Sequence, residues 1–215
     1  MRRHGVPGVS LAVVEGGRVA RVEAYGVLRA GESEPVTAST PFRVGSVSKF
    51  VTALGALRLV EDGLLTLDGD VNDRLTGWRV PGQGDGERPV TLRQLLSHRA
   101  GLTAYTGEPG QPLADLLREH VRRESVPGEV FRSTDANYAV VQQLVEDVTG
   151  EPFDTVLRRL VLEPLAMHSS GYGNLPATAA AGHDDGGRPV QRAGAAGHGR
   201  TDTAAAGLWS TAGDL

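Results

Sequence analysis

The sequence predicts a mixed α/β (α+β) chain, with an N-terminal β-hairpin followed by a helical lobe. Three observations predict it. Residues 9–14, Val-Ser-Leu-Ala-Val-Val, form an apolar run suited to a buried strand; Glu15-Gly16-Gly17 supply a turn, and residues 18–26 return as a second strand. From 47 to 62 nearly every position is apolar or small, which fits a buried helix stopped by Gly63. Further helical patterns follow at 112–123, 136–149 and 153–162. Everything after the hairpin thus reads as helix and loop. A two-stranded hairpin is marginal by itself in water, so this sheet lacks partner strands within these residues.

Between these elements the signals are local. Residues 27–41 are polar and irregular, and 64–75 alternate Leu and Asp with Gly, which reads as a connection. Residues 80–90 are rich in Pro and Gly and read as an exposed loop. Thr91-Leu92-Arg93-Gln94 is a capping box, with Thr at the N-cap and Gln three residues on. The helix it opens runs to about His98 and ends before Gly101. Gly150 closes the 136–149 helix. From 171 onward Gly, Ala, Pro and His predict a long loop, and 205–215 read as the start of a helix.

The chain of 215 residues is long enough for one domain, 1–215, that buries roughly 70% of its unfolded surface. Apolar residues are 40% and charged residues 22%, the balance of an ordinary globular chain. A net charge of -4 without a basic stripe argues against nucleic acid as a partner. There is no cysteine, which excludes disulfides and thiolate chemistry. No run approaches the ~20 apolar residues of a membrane span. The basic start, Met1-Arg2-Arg3-His4, is not followed by an apolar stretch, so no signal peptide is read and the chain as given is expected in the cytoplasm. Nothing in the composition speaks to oligomeric state.

One compositional fact bears on chemistry. Of 22 Lys plus Arg, one is Lys, leaving 21 Arg, a bias that suggests a GC-rich bacterial genome. The exception is Lys49. Arginine keeps its proton in proteins, whereas a lysine amine in apolar surroundings can give its proton up. Ser46 lies three residues before Lys49, so the two are neighbours on one helix face. Serine is a weak nucleophile until a base takes its proton, and an amine one turn away can do so. The helix N-terminus at Ser46 adds backbone N–H groups and a positive dipole end, which suit a developing oxyanion. A plainer reading makes Ser46 an N-cap and Lys49 a surface residue.

The other candidates are weaker. The six histidines, at 4, 98, 120, 168, 183 and 198, have no metal-ligand spacing on one helix, so no metal and no cofactor is expected. His98 is read as capping or packing at its helix end, and His183 through Gly187 as a turn. Gly186-Gly187 lacks a following Gly-Lys-Ser, so no phosphate loop is supported. Leu113 to Val121 is read as a core face, and Trp209 as a packing residue.

Val44-Gly45-Ser46-Val47-Ser48-Lys49-Phe50 resembles the nucleophile motif of the class C β-lactamase-related serine hydrolases, which include penicillin-binding D,D-peptidases and esterases. Other stretches resemble the same family in order along the chain. They are Gly5-Val6-Pro7-Gly8-Val9-Ser10, Glu61-Asp62-Gly63-Leu64-Leu65-Thr66-Leu67-Asp68, Leu95-Leu96-Ser97-His98-Arg99-Ala100-Gly101-Leu102, Glu163-Pro164-Leu165-Ala166-Met167 and Ala206-Gly207-Leu208-Trp209-Ser210-Thr211. Six ordered matches are far more specific than one. The resemblance implies a β-lactamase/transpeptidase-like fold, with a site between a sheet and a helical lobe. It implies a small-molecule or peptide substrate, an ester or amide such as a β-lactam or D-amino-acid peptide, and an acyl-enzyme on Ser46 with Lys49 as base.

The resemblance also implies a second motif, usually Tyr-x-Asn, and here the sequence departs from it. Phe131 and Tyr138 fix the alignment of Phe131-Arg132-Ser133-Thr134-Asp135-Ala136-Asn137-Tyr138, which places Ser133 at the tyrosine position and Asp135 at the asparagine position. Ser133 is then a candidate proton relay, and Asp135 a candidate substrate-binding residue that also brings negative charge to Lys49. A shifted register would give Asn137 the amide role, but it breaks the flanking match. A third motif, Lys-Thr-Gly or His-x-Gly on a later strand, is expected beyond Leu215, and a helix before the first strand. The chain is therefore expected to be incomplete at its C-terminus and at its N-terminus. Two readings follow: a serine hydrolase acting through an acyl-enzyme, or an impaired piece of that family that at most binds ligands.

Overall fold

The computed structural model describes residues 1–82, 88–104, 111–184, 186–190 and 203–215. At the front, β1 (Gly8–Glu15) and β2 (Arg18–Gly26) pair antiparallel, with Val9 opposite Tyr25 and Ala12 opposite Val22. Gly16 and Gly17 form the turn with φ of 57° and 75°, the left-handed pair that a tight hairpin turn requires. A bulge at Val13/Val14 lets the two residues of the turn close the ladder.

The helices follow the sequence pattern with trimmed ends. A helical turn at Gly45–Val47 leads into α1 (Ser48–Glu61), and Gly63 follows it with φ 75°. The helix α2 (Leu92–Leu96) carries the full capping box: Thr91 Oγ1 accepts from Gln94 N–H, and Gln94 Oε1 accepts from Thr91 N–H. It ends earlier than expected because Ser97 leaves the helix and His98 turns the chain at φ 58°. The helix α3 (Leu113–His120) stops where Val121 becomes extended. The longest helix, α4 (Asp135–Thr149), is capped by Thr134 and closed by left-handed Gly150. Finally, α5 (Phe153–Leu157) passes into one wider π turn over Arg158–Leu162.

Besides β1, which is half-buried where a buried strand was expected and leaves Val14 exposed, two expectations are corrected. Residues 205–215 are not the start of a helix: a short α6 (Thr203–Ala206) ends there, and β4 (Trp209–Ser210) pairs antiparallel with β3 (Phe42–Arg43). Trp209 also exchanges both backbone hydrogen bonds with Gly171, at 2.9 Å each, and its ring covers that glycine where a Cβ would meet it at 2.6 Å. A two-residue strand with partners far away in sequence leaves no periodicity to read. The second correction concerns α1, which is not buried all round. Val51, Thr52, Ala56 and Leu59 are buried, while Phe50, Leu54 and Leu57 are exposed on the other side.

The main core gathers around α4, where every residue from Ala136 to Val145 is buried. The helix α1 contributes Val51 and Leu59, α2 Leu92 and Leu95, α3 Leu117, and α5 Val156 and Leu157. Gly55 lets α1 approach α5, since a Cβ there would stand 2.6 Å from Leu157 Cδ1. A small second cluster, Leu28, Val36 and Ala180, lies under the loop that follows the hairpin. Residues 83–87 of the predicted exposed loop, and Asp185, His198 and most of 190–202 of the later one, lie outside the described residues. Among the described residues no helix is long and apolar enough to cross a membrane.

Candidate active site

Ser46 stands exposed in the helical turn that opens α1, just after Gly45 with its φ of 55°. The three-residue spacing then places Lys49 beside it, and Lys49 Nζ donates to Ser46 Oγ at 3.1 Å. The lysine side chain is only 13% exposed. Its amine makes two further contacts, to Asp135 Oδ1 at 2.9 Å and to the Ala205 carbonyl at 3.0 Å. An ammonium has three hydrogens, and here three acceptors meet them. The Tyr138 ring lies 5.7 Å from the same nitrogen, within cation–π range.

Asp135 is the first residue of α4, where a carboxylate suits the positive end of the helix. Thr134 fixes that start: its hydroxyl accepts from Ala136 N–H at 3.2 Å and donates to the Thr103 carbonyl at 3.1 Å. Ser133 sits one residue earlier, exposed, and no hydrogen bond joins it to Ser46 or Lys49 among the described residues. Asn137, the alternative amide, is 1% exposed and turns towards His98, with Nδ2 3.0 Å from His98 Nδ1. The residue that meets Lys49 is therefore the aspartate.

The third side of the amine is built by residues that sequence reasoning passed over. Thr52 Oγ1 donates to the Ala204 carbonyl at 2.8 Å, and Ala204 N–H donates to Gln142 Oε1 at 3.1 Å. Ser48 Oγ donates to the Gly45 carbonyl at 2.5 Å and accepts from Leu208 N–H at 3.0 Å. Tyr172 OH donates to the Ser48 carbonyl at 3.0 Å and lies 3.1 Å from Thr52 Oγ1. Burial pushes the Tyr172 phenol well above its usual range, so it stays a neutral donor. This network ties α6 to the start of α1 and aims the Ala205 carbonyl at Lys49. Ser48 and Thr52 lie four apart on one side of α1, a signal present in the sequence, but their partners Tyr172, Ala204 and Leu208 lie more than a hundred residues on.

His98 lies beside this group. Its ring is 6.1 Å from Phe131, nearly perpendicular, and 5.4 Å from Tyr138. Burial, and then the Lys49 charge, hold its imidazole below the usual value, while Asp135 pulls the other way. Among the described residues no three His, Asp or Glu side chains gather as a metal would need.

A hairpin, a helical lobe and a Ser-x-x-Lys pair at the head of a lobe helix define a chain of the β-lactamase and penicillin-binding type. The sequence model of the family described as Beta-lactamase matches residues 1–215, and the chain belongs to that family. It is 36% identical over 173 residues to penicillin-binding protein 4 of Amycolatopsis lactamdurans, covering 78% of this chain and 45% of that protein. It is 31% identical over 191 residues to esterase EstB of Burkholderia gladioli, covering 80% of this chain and 48% of that protein. The structure superposes on the D-alanine carboxypeptidase AmpC from Burkholderia cenocepacia with a TM-score of 0.82 and 28% identity, over 100% of this chain and 58% of that one. The chain spans about half the length of these relatives.

Proposed function

We propose that this chain carries the nucleophile and base of a serine hydrolase that works through an acyl-enzyme on Ser46. The observation that carries this reading is the 3.1 Å contact between Lys49 Nζ and Ser46 Oγ at the head of α1. A neutral Lys49 would take the Ser46 proton as Oγ attacks the carbonyl carbon of an ester or amide. The bond from that carbon to its alkoxy or amino group would break, and Lys49 would return the proton to the leaving group. Water would then cleave the Ser46 ester. The penicillin-binding, esterase and carboxypeptidase relatives support an ester, a β-lactam or a D-amino-acid peptide as the substrate class. Ser133, exposed and two residues before Asp135, is the proposed proton relay, and Asp135 the proposed substrate contact.

One observation favours a second reading, an impaired member of the family that at most binds ligands. The Asp135 carboxylate attracts the ammonium form of Lys49, which has no lone pair to receive a proton. Incubation with a fluorophosphonate or a penicillin, followed by intact-mass analysis, separates the two. A single adduct that disappears in Ser46→Ala supports the hydrolase. No adduct on the native chain, with one appearing on Asp135→Asn, supports the impaired member.

A further inference from the structure

The end of α2 and the start of α4 are joined at one place, around His98. Arg132 N–H donates to the His98 carbonyl at 2.8 Å, and Tyr138 OH to the Leu96 carbonyl at 3.3 Å. Thr134 N–H points at His98 Nδ1 from 3.5 Å, and Asn137 Nδ2 lies 3.0 Å from the same nitrogen. A backbone N–H can only donate. Nδ1 is therefore an acceptor, and the imidazole proton belongs on Nε2. Asn137 must then present its NH2 to the ring, which leaves Asn137 Oδ1 buried with no partner. A buried unpaired carbonyl oxygen is costly and rare. Here it is the consequence of satisfying His98. The bonded segment includes Asp135 and Tyr138, the two α4 residues that face Lys49.

We propose that His98, neutral and protonated on Nε2, is a positioning residue that sets how the first turn of α4 presents Asp135 and Tyr138 to Lys49. The proposal rests on the reading of Ser46 and Lys49 as the reacting pair. A proton added at Nδ1 would confront the Thr134 N–H, and Asn137 could accept it only by turning its free Oδ1 inward. The joint thus has two hydrogen-bond arrangements, and the Thr134 bond belongs to one of them. Among the described residues the charged groups facing the ring are Lys49 from α1 and Asp135 from α4, with the Tyr138 phenol beside them. Arg132 meets the His98 carbonyl through its backbone N–H and Arg99 follows His98 in the chain, but their guanidinium groups turn to Glu124 and to the Gly128 carbonyl. Burial and Lys49 outweigh Asp135 and keep the ring neutral to below its ordinary range. The Thr134 bond is therefore intact at neutral pH and lost as pH falls through the lowered value.

Because Lys49 is the one lysine of the chain, lysine labelled with carbon-13 gives a single ε-methylene NMR signal. That signal is followed from about pH 8 downward through histidine's ordinary range and below it, because the His98 ring takes its proton below that range. The native chain should show a step where His98 titrates. His98→Asn puts an amide oxygen in place of Nδ1 and tolerates the left-handed backbone; it should keep the neutral-pH signal and lose the step. His98→Leu should displace the signal at every pH and slow acylation of Ser46 roughly 10- to 100-fold, the scale of a small misplacement. His98→Asn should retain most of the rate without its acid fall-off. An unchanged step in His98→Asn overturns the proposal, as does a native signal and native rate in His98→Leu. Asp135→Asn identifies any step that belongs to the carboxylate. If His98→Leu does not fold, His98→Asn decides alone. If the native chain never acylates, the hydrolase reading fails, while the Lys49 signal still decides the role of His98.

Discussion

Lys49 Nζ stands 2.9 Å from Asp135 Oδ1, across a separation of 86 residues. The contact takes up the amine on which a serine nucleophile depends. Replacing the carboxylate by an amide of the same shape keeps an acceptor and removes the charge. Asp135→Asn is expected to raise the rate of Ser46 acylation about tenfold, a change of ~1.4 kcal/mol in the barrier. A rate that falls instead would show that the carboxylate charge itself, and not only an acceptor at this position, serves the reaction. The time course of adduct formation by mass spectrometry reads the difference.

Lys49→Arg keeps the positive charge but cannot supply a neutral base. Acylation should fall by roughly 10²–10⁴, the usual span of general-base catalysis. Unchanged labelling would remove Lys49 from the mechanism.

Tyr172→Phe deletes the hydroxyl that donates to the Ser48 carbonyl and leaves Thr52 without that partner. Thr52 keeps its bond to the Ala204 carbonyl, so the loss is that of a buried hydrogen bond, about 0.5–1.5 kcal/mol. For a chain of this size each kcal/mol lowers the melting midpoint by ~2–4 °C. Calorimetry should show that loss, and labelling of Ser46 should slow as the Ala205 carbonyl loses its support.

Leu144 is 1% exposed in the middle of α4. Leu144→Ala should destabilise the fold by about 2–5 kcal/mol through lost burial and a cavity. Urea unfolding should show a lower midpoint with an unchanged slope.

Glu146, half-buried on α4, has its carboxyl held above the ordinary range by burial and then by the nearby Asp147 and Asp154 charges, against opposing hydrogen bonds from Gln142 and the Phe153 backbone. The folded state therefore holds this proton more tightly than the unfolded chain. Its contribution favours folding below the ordinary carboxylate value and is lost as pH rises through the raised one. Glu146→Gln should melt higher than the native chain near pH 7, and the gap should close near pH 4, where a free glutamate is about half protonated. A constant gap across that range would contradict the assignment.

The candidate site was legible in the sequence to the extent that it is local. Ser46 and Lys49 meet because residues three apart on a helix must meet. The Thr91–Gln94 capping box and the closing glycines at 63 and 150 likewise involve neighbours in the chain, and each stands where its spacing put it. The sequence alone therefore determined the hairpin, the main helices, the family and the pairing of serine with lysine. The tertiary structure decided the rest. The β3–β4 ladder, the exposed side of α1, the Ala205 carbonyl on the amine and the neutral His98 joint depend on segments brought together over 30 to more than 160 residues. No period in the sequence encodes those meetings. The packing of α1, α2 and α6 against α4 brings Asp135, His98 and the Ala205 carbonyl around one lysine.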